Sequence, residues 1–349
     1  FNHYARPFDR QLVELALPSS LVQAGSYHLR DGNGTAWPAE MLDGGRLLFP
    51  VSVGPRGAIG FTLVRGASPA GSTDLTVGDQ RASDGTLTVS NAFYAVTLSQ
   101  ADGGTVTHLI SKRTGKDYGL KSFDVNYGRF SHYDPNKPAV DSVAYINESK
   151  TVLANRRCEW KRVEVGPLRA VVAAEVGDEN VRCRTTYEFR AHTPYFRVHR
   201  QLEFVGKQVP QEIVVIDGRF RRNALSKSFP NFVGEVNNAA QPHFGWRYGH
   251  WVPDYLTLMT PPGFEESLSF IVLRKEGLDQ VRQGFWPAER PKSGPCEQAR
   301  IELIAQHATV CDVEFVVYLH REHQVAAARL LEELHDPPLA TLTMEPLWR

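Results

Sequence analysis

The chain of 349 residues has no charge imbalance, because 39 Lys+Arg stand against 39 Asp+Glu. With no net field of either sign, nothing favours wrapping nucleic acid or lying on an anionic membrane surface. Cysteine is scarce: Cys158, Cys183, Cys296 and Cys311 are scattered, with no CxxC pair. That excludes a disulfide-stapled scaffold and gives no support to a structural zinc site. No apolar run approaches the roughly 18 residues of a membrane-spanning helix. Phe1-Asn2-His3-Tyr4 lacks the charged lead and apolar stretch of a signal peptide. The elbow G-x-S-x-G, the metal spacing H-E-x-x-H and a phosphate loop ending in Lys-Ser/Thr are also missing, so Gly54-Pro55-Arg56-Gly57 reads as a turn. The partners left are neutral small molecules or other protein domains. Two sequons, Asn33-Gly34-Thr35 and Asn147-Glu148-Ser149, leave the compartment open.

What is present is alternation. Leu12-Val13-Glu14-Leu15-Ala16-Leu17, Ile59-Gly60-Phe61-Thr62-Leu63-Val64 and Phe93-Tyr94-Ala95-Val96-Thr97-Leu98 carry a period of two, which puts one face on a core and the other in solvent. Similar runs cover 86–90, 106–110, 158–165, 168–176, 181–190, 195–204, 212–217, 255–259, 268–273, 300–305 and 312–319. Asp31-Gly32-Asn33-Gly34, Asp102-Gly103-Gly104 and Gly177-Asp178-Glu179-Asn180 supply turn chemistry between them. Strands at about ten-residue spacing define an all-β sandwich or barrel.

One stretch, 322–334, has an apolar stripe at helical spacing (Val325, Ala328, Leu331), and His335-Asp336-Pro337-Pro338 ends it. Strand–helix alternation is absent, which excludes a doubly wound nucleotide-binding fold. The Gly/Ser/Asp/Ala-rich segment 67–84 reads as a linker between an N-terminal strand group, 1–66, and a main sandwich, 85–349. Two long irregular spans, 223–253 and 284–297, are candidates for function-bearing loops.

The order of short motifs resembles the β-sandwich portion of family 38, α-mannosidase-type glycoside hydrolases. The residues are Phe1-Asn2 and Arg10 before Leu12 to Pro18, then Asp31-Gly32, Pro38-Ala39-Glu40, Leu47-Leu48-Phe49 and Pro55-Arg56-Gly57. Asn91-Ala92-Phe93-Tyr94, Gly103 and Ser111-Lys112-Arg113-Thr114-Gly115-Lys116 follow. Next come Tyr133-Asp134-Pro135 with Asp141, Val163-Glu164-Val165-Gly166-Pro167-Leu168-Arg169-Ala170, Leu319-His320 and His335-Asp336-Pro337-Pro338-Leu339. The resemblance implies a large antiparallel supersandwich of the galactose mutarotase type. It also implies that zinc ligands and a catalytic carboxylate belong to an N-terminal α/β domain whose features are not in this sequence. No cofactor or metal ligand is therefore expected in this chain, and a catalytic domain or subunit is an expected partner.

Candidate chemistry concentrates in 241–255. Sugars present apolar faces edged by hydroxyls, so their sites combine flat rings with charged hydrogen-bond partners. Trp246, Trp251 and Tyr255 are expected platforms, with His243, Arg247, His250 and Asp254 reading hydroxyls or a carboxylate. The competing reading is a loop pinned to the sandwich by its aromatics. Trp286, within Arg282-Gln283-Gly284-Phe285-Trp286-Pro287, and the basic Arg219-Phe220-Arg221-Arg222 are further candidates. His132-Tyr133-Asp134 reads as a turn, and His320 with His323 lacks a third metal ligand.

Three functions stay open. The first is the sandwich of an α-mannosidase-type hydrolase that lends loops to glycan binding. The second is a stand-alone polysaccharide lyase in which Arg247 neutralises a uronate carboxylate and His250 or Tyr255 moves the C5 proton. The third is a non-catalytic carbohydrate-binding or assembly module. A carbohydrate ligand is common to all three.

Overall fold

The computed structural model describes residues 2–22, 26–67, 73–78, 85–119, 122–128, 150–206, 213–221, 227–230, 247–249, 252, 254–259, 266–286, 298–305, 308–321, 324–337 and 340–341. It is an all-β structure of antiparallel sheets, as the alternation requires. Eight strands form the largest sheet, in the order Glu159–Val165, Arg169–Gly177, Val181–Arg190, Tyr195–Phe204, Val310–His320, Ser267–Glu276, Tyr255–Met259 and Lys227–Pro230. A six-stranded sheet runs Lys150–Val152, Asp124–Gly128, Ile213–Arg221, Gln298–Ala305, Gln280–Trp286 and Arg247–Gly249. A four-stranded sheet contains Thr105–Ser111, Tyr94–Ser99, Thr86–Ser90 and Thr76–Val77.

These three sheets share one core. Val172, Tyr187 and Phe315 come from the large sheet, Ile213 and Phe220 from the six-stranded one, and Val89 and Val96 from the four-stranded one. Phe123 stands at the crossing, with its ring centroid 5.2 Å from Phe315 and 6.1 Å from Phe220. Strand alternation decides the faces. Val313, Phe315 and Val317 point into this core, while Val316 points out.

The outward face of the large sheet is covered at one end by the helix Gln324–His335. There Ala327 and Leu330 meet Tyr195, Tyr255, Ile271 and Val316. The expected helix 322–334 is present over its described part and ends one residue later, at His335.

The N-terminal group folds into two three-stranded sheets, Phe8–Ala16 with Arg46–Val53 and Glu40–Leu42, and Ala36–Pro38 with Tyr27–Asp31 and Phe61–Arg65. It has a small core of its own around Leu47, Phe49 and Tyr27. Leu12, Leu42 and Leu48 instead join the main core. The expected linker 67–84 is structured in its described middle. Leu75 is buried in the main core, and Thr76–Val77 pairs with Ser90 and Val89. Asp74 also accepts the backbone N–H groups of Ala92 and His192, at 2.9 and 2.8 Å.

Candidate functional site

Four of the motifs quoted above are tied down by buried or half-buried polar contacts. Asn2 sits fully buried, its Oδ1 accepting the Tyr4 N–H and its Nδ2 donating to the carbonyls of Arg6 and Gly54. Asn91 uses both ends of its amide. Oδ1 accepts the N–H groups of Phe93 and Tyr94, and Nδ2 donates to the carbonyls of Arg190 at 3.0 Å and Thr193 at 2.8 Å. Glu40, from Pro38-Ala39-Glu40, accepts the N–H groups of Leu168 and Arg169 from the Gly166-Pro167-Leu168-Arg169 turn. Burial pushes its carboxyl above the ordinary value, against the opposing pull of these N–H groups and of Arg169.

The turn Ser111-Lys112-Arg113-Thr114-Gly115 closes on Glu266, which is 1% exposed. Glu266 Oε1 accepts from Ser111 Oγ at 2.6 Å and Arg113 Nη2 at 2.8 Å, and Oε2 from Thr114 Oγ1 at 2.9 Å and Tyr118 OH at 2.6 Å. Gly115 takes φ +69°, which the tight reversal requires. Burial, reinforced by Glu266, raises the Tyr118 phenol far above its usual range, so it remains a donor.

Beside this hub lies a groove of about 570 Å³. The strand Phe8–Ala16 and the residues just before it form one wall, and the helix forms another with Arg329, Leu330 and Glu333. Tyr195, Tyr318 and His320 come from the large sheet, and Phe93 and Arg113 from turns. The His320 ring stacks on Tyr318 with centroids 4.5 Å apart, and its Nε2 lies 2.7 Å from Ser269 Oγ. Arg113 Nη2 also donates to the His320 carbonyl at 3.3 Å. Arg6 pairs with Glu333 across the groove and donates to the Arg329 carbonyl at 3.4 Å. Burial pushes the Glu333 carboxyl upward despite the arginine. A mixed lining of rings and guanidinium groups suits a polar ligand with apolar faces. Dispersed in sequence, these residues offer no local spacing to read; Arg113 entered the sequence reading only as a family-like motif.

Of the sequence-predicted site, His243, Trp246, His250 and Trp251 lie outside the described residues, as do Arg222, the His132-Tyr133-Asp134 triplet and His323. Arg247 opens the edge strand of the six-stranded sheet, with Arg247 opposite Gln283. Trp286 closes the neighbouring strand. Asp254 is exposed and sits 3.2 Å from Lys275 Nζ. Phe220, between the arginines of its strand, is fully buried core. Tyr255 requires a correction. It is 8% exposed, packed beneath the helix with Ala327 and Leu330 on the outward face of the large sheet. Burial, with Asp254 adding to it, raises its hydroxyl, which opposes use as a base. A ring covered by a helix presents no stacking face. Arg247 and Tyr255 also belong to different sheets. Among the described residues no group of three or more His, Cys, Asp or Glu is placed to hold a metal ion.

No family model and no curated protein sequence matches the chain. Solved structures do match its fold. An α-mannosidase from Enterococcus faecalis V583 superposes with a TM-score of 0.55 at 12% identity, covering 96% of this chain and 44% of that one. A glycosyl hydrolase family 38 protein from Enterococcus faecalis gives 0.56 at 11% identity, covering 96% and 46%. The chain therefore spans less than half the length of these two structures, and what it shares with them is the antiparallel sandwich fold.

Proposed function

We propose that the chain is the β-sandwich part of an α-mannosidase-type glycoside hydrolase, packed against a catalytic domain and lending loops to glycan binding. One observation carries the reading. Three of the motifs that resemble the family supply contacts from one sheet to another, at Glu40, at Asn91 and at the Ser111–Thr114 turn that closes on Glu266. The superposition on two glycosidase structures over 96% of the chain supports the same reading. The binding loops are those around Trp246 and Trp251. The lyase reading loses a candidate base with the burial of Tyr255.

The test uses the 349-residue chain with 4-nitrophenyl α-mannoside and with α-mannose oligosaccharides in calorimetry. The expected result is no turnover, together with oligosaccharide binding that Trp246→Ala and Trp251→Ala each weaken by about tenfold, the loss of one stacking platform. Turnover by this chain alone would overturn the division of labour. Binding unchanged in both variants would overturn the role given to the loop.

A further inference from the structure

We propose that the groove between the N-terminal strand, the Arg113 turn and the C-terminal helix is a subsite for an anionic saccharide, a uronate or a sugar phosphate. This goes beyond the function proposed above and does not depend on it.

Charge is the first argument. Among its described lining residues the groove gathers Arg6, Arg113, Arg321 and Arg329 against two carboxylates, Asp9 and Glu333. The second argument is preorganisation. Arg113 is fixed from behind by the buried Glu266 and by the His320 carbonyl, and Arg6 by Glu333 and the Arg329 carbonyl. Planar forks held in place lose little freedom when they grip a carboxylate or phosphate. Arg321 and Arg329 are exposed at the same lining. The third argument is shape. Phe93, 40% exposed, and Tyr318 give the apolar surface that a pyranose ring covers. A volume of about 570 Å³ admits one or two sugar rings.

Ligand-observed NMR and calorimetry on the 349-residue chain test this, with glucuronate, glucose 6-phosphate, glucose and inorganic phosphate as probes. Saturable binding of the two anionic sugars is expected, with glucose and inorganic phosphate each at least about tenfold weaker, because each lacks one half of the recognition. The exposed Arg321→Ala/Arg329→Ala double variant should weaken both anionic sugars by about tenfold or more while circular dichroism shows the chain still folded. Phe93→Ala should weaken them and leave inorganic phosphate unchanged. Equal affinity for inorganic phosphate and glucose 6-phosphate would reduce the groove to an anion site and overturn the saccharide assignment. Absence of anionic-sugar binding, or affinity unaltered in the double arginine variant, would overturn the proposal altogether.

Discussion

The Glu40 carboxylate accepts the backbone N–H of Leu168 at 2.8 Å, across 128 residues of sequence. The same oxygen takes the Arg169 N–H at 2.9 Å, so one carboxylate oxygen of the N-terminal group accepts two donors from a turn of the main sandwich. Gly166 makes this approach possible, since a Cβ there would come within 2.2 Å of the Glu40 carboxyl carbon. Glu40→Ala leaves two partly buried donors unmet and should cost about 2–4 kcal/mol in urea unfolding. Gly166→Ala should cost a similar amount by expelling the carboxylate. Both changes break one contact, so the double variant should be no worse than the weaker single variant, and full additivity would contradict the linkage.

Glu40 also carries a pH signature. Its folded value lies above its ordinary 4.5 because burial penalises the ionised form. The group's favourable contribution is therefore complete below about 4.5 and is lost as pH rises through the folded value. Glu40→Gln cannot ionise and can still accept hydrogen bonds. Wild-type stability relative to Glu40→Gln should fall as pH is raised from 4.5 to 7, measured by urea melts at each pH. A difference that grows in the opposite direction would reverse the assignment.

Glu266 is a stronger test of buried charge. Four donors converge on it, and its side chain is 2% exposed. Glu266→Gln replaces an acceptor by an amide NH₂ that faces hydroxyl donors and leaves Arg113 without its anion. The expected loss is about 3–5 kcal/mol. Tyr118→Phe removes one of these donors and keeps the others, for a loss of about 1 kcal/mol. Equal effects for the two variants would show that the carboxylate is not the organising group.

Asn91 and Gly115 mark where sequence alone speaks clearly. Turn chemistry and period two announce the reversals and the strands, so the expected runs at 86–90, 195–204 and 255–259 correspond to Thr86–Ser90, Tyr195–Phe204 and Tyr255–Met259. The short strand Thr76–Val77 was hidden because two residues carry no period, and the Gly/Ser-rich flanks read as linker. Tyr255 was misjudged for a different reason. Its neighbours in sequence are polar and aromatic, but its environment is set by Ala327 and Leu330, about seventy residues away. The groove was invisible for the same reason: Arg6, Phe93, Arg113, Tyr195, Arg321 and Leu330 meet only after the sheets assemble.

Asn91 is fully buried and its side-chain amide makes four hydrogen bonds, two as donor and two as acceptor. Asn91→Asp keeps the shape, turns both donors into an anion facing two carbonyls, and should lose about 3 kcal/mol or more at pH 7. Lowering the pH should recover part of that loss, because a protonated acid can donate once. A pH-independent defect in thermal melts would point to backbone disturbance instead.

Cys183 and Cys311 flank Leu202 on adjacent strands, each opposite it in the register. Two strand spacings put their Cα atoms about 9–10 Å apart, beyond the roughly 7 Å limit of a disulfide. Both are 1% exposed, as is Cys158, and burial pushes the Cys158 thiol up to about 11 and the Cys311 thiol up to about 12. At pH 8 the thiolate fractions of these two are then about one in a thousand and one in ten thousand. Cys296→Ser removes the one cysteine outside the described residues. That variant should give no reaction with Ellman's reagent over minutes in the native state and three thiols in 6 M guanidinium. It should also form no intramolecular disulfide under mild oxidation, by mass spectrometry. Rapid native labelling, or a mass loss of two hydrogens, would mean that these strands open in the folded protein far more often than a close-packed sandwich core permits.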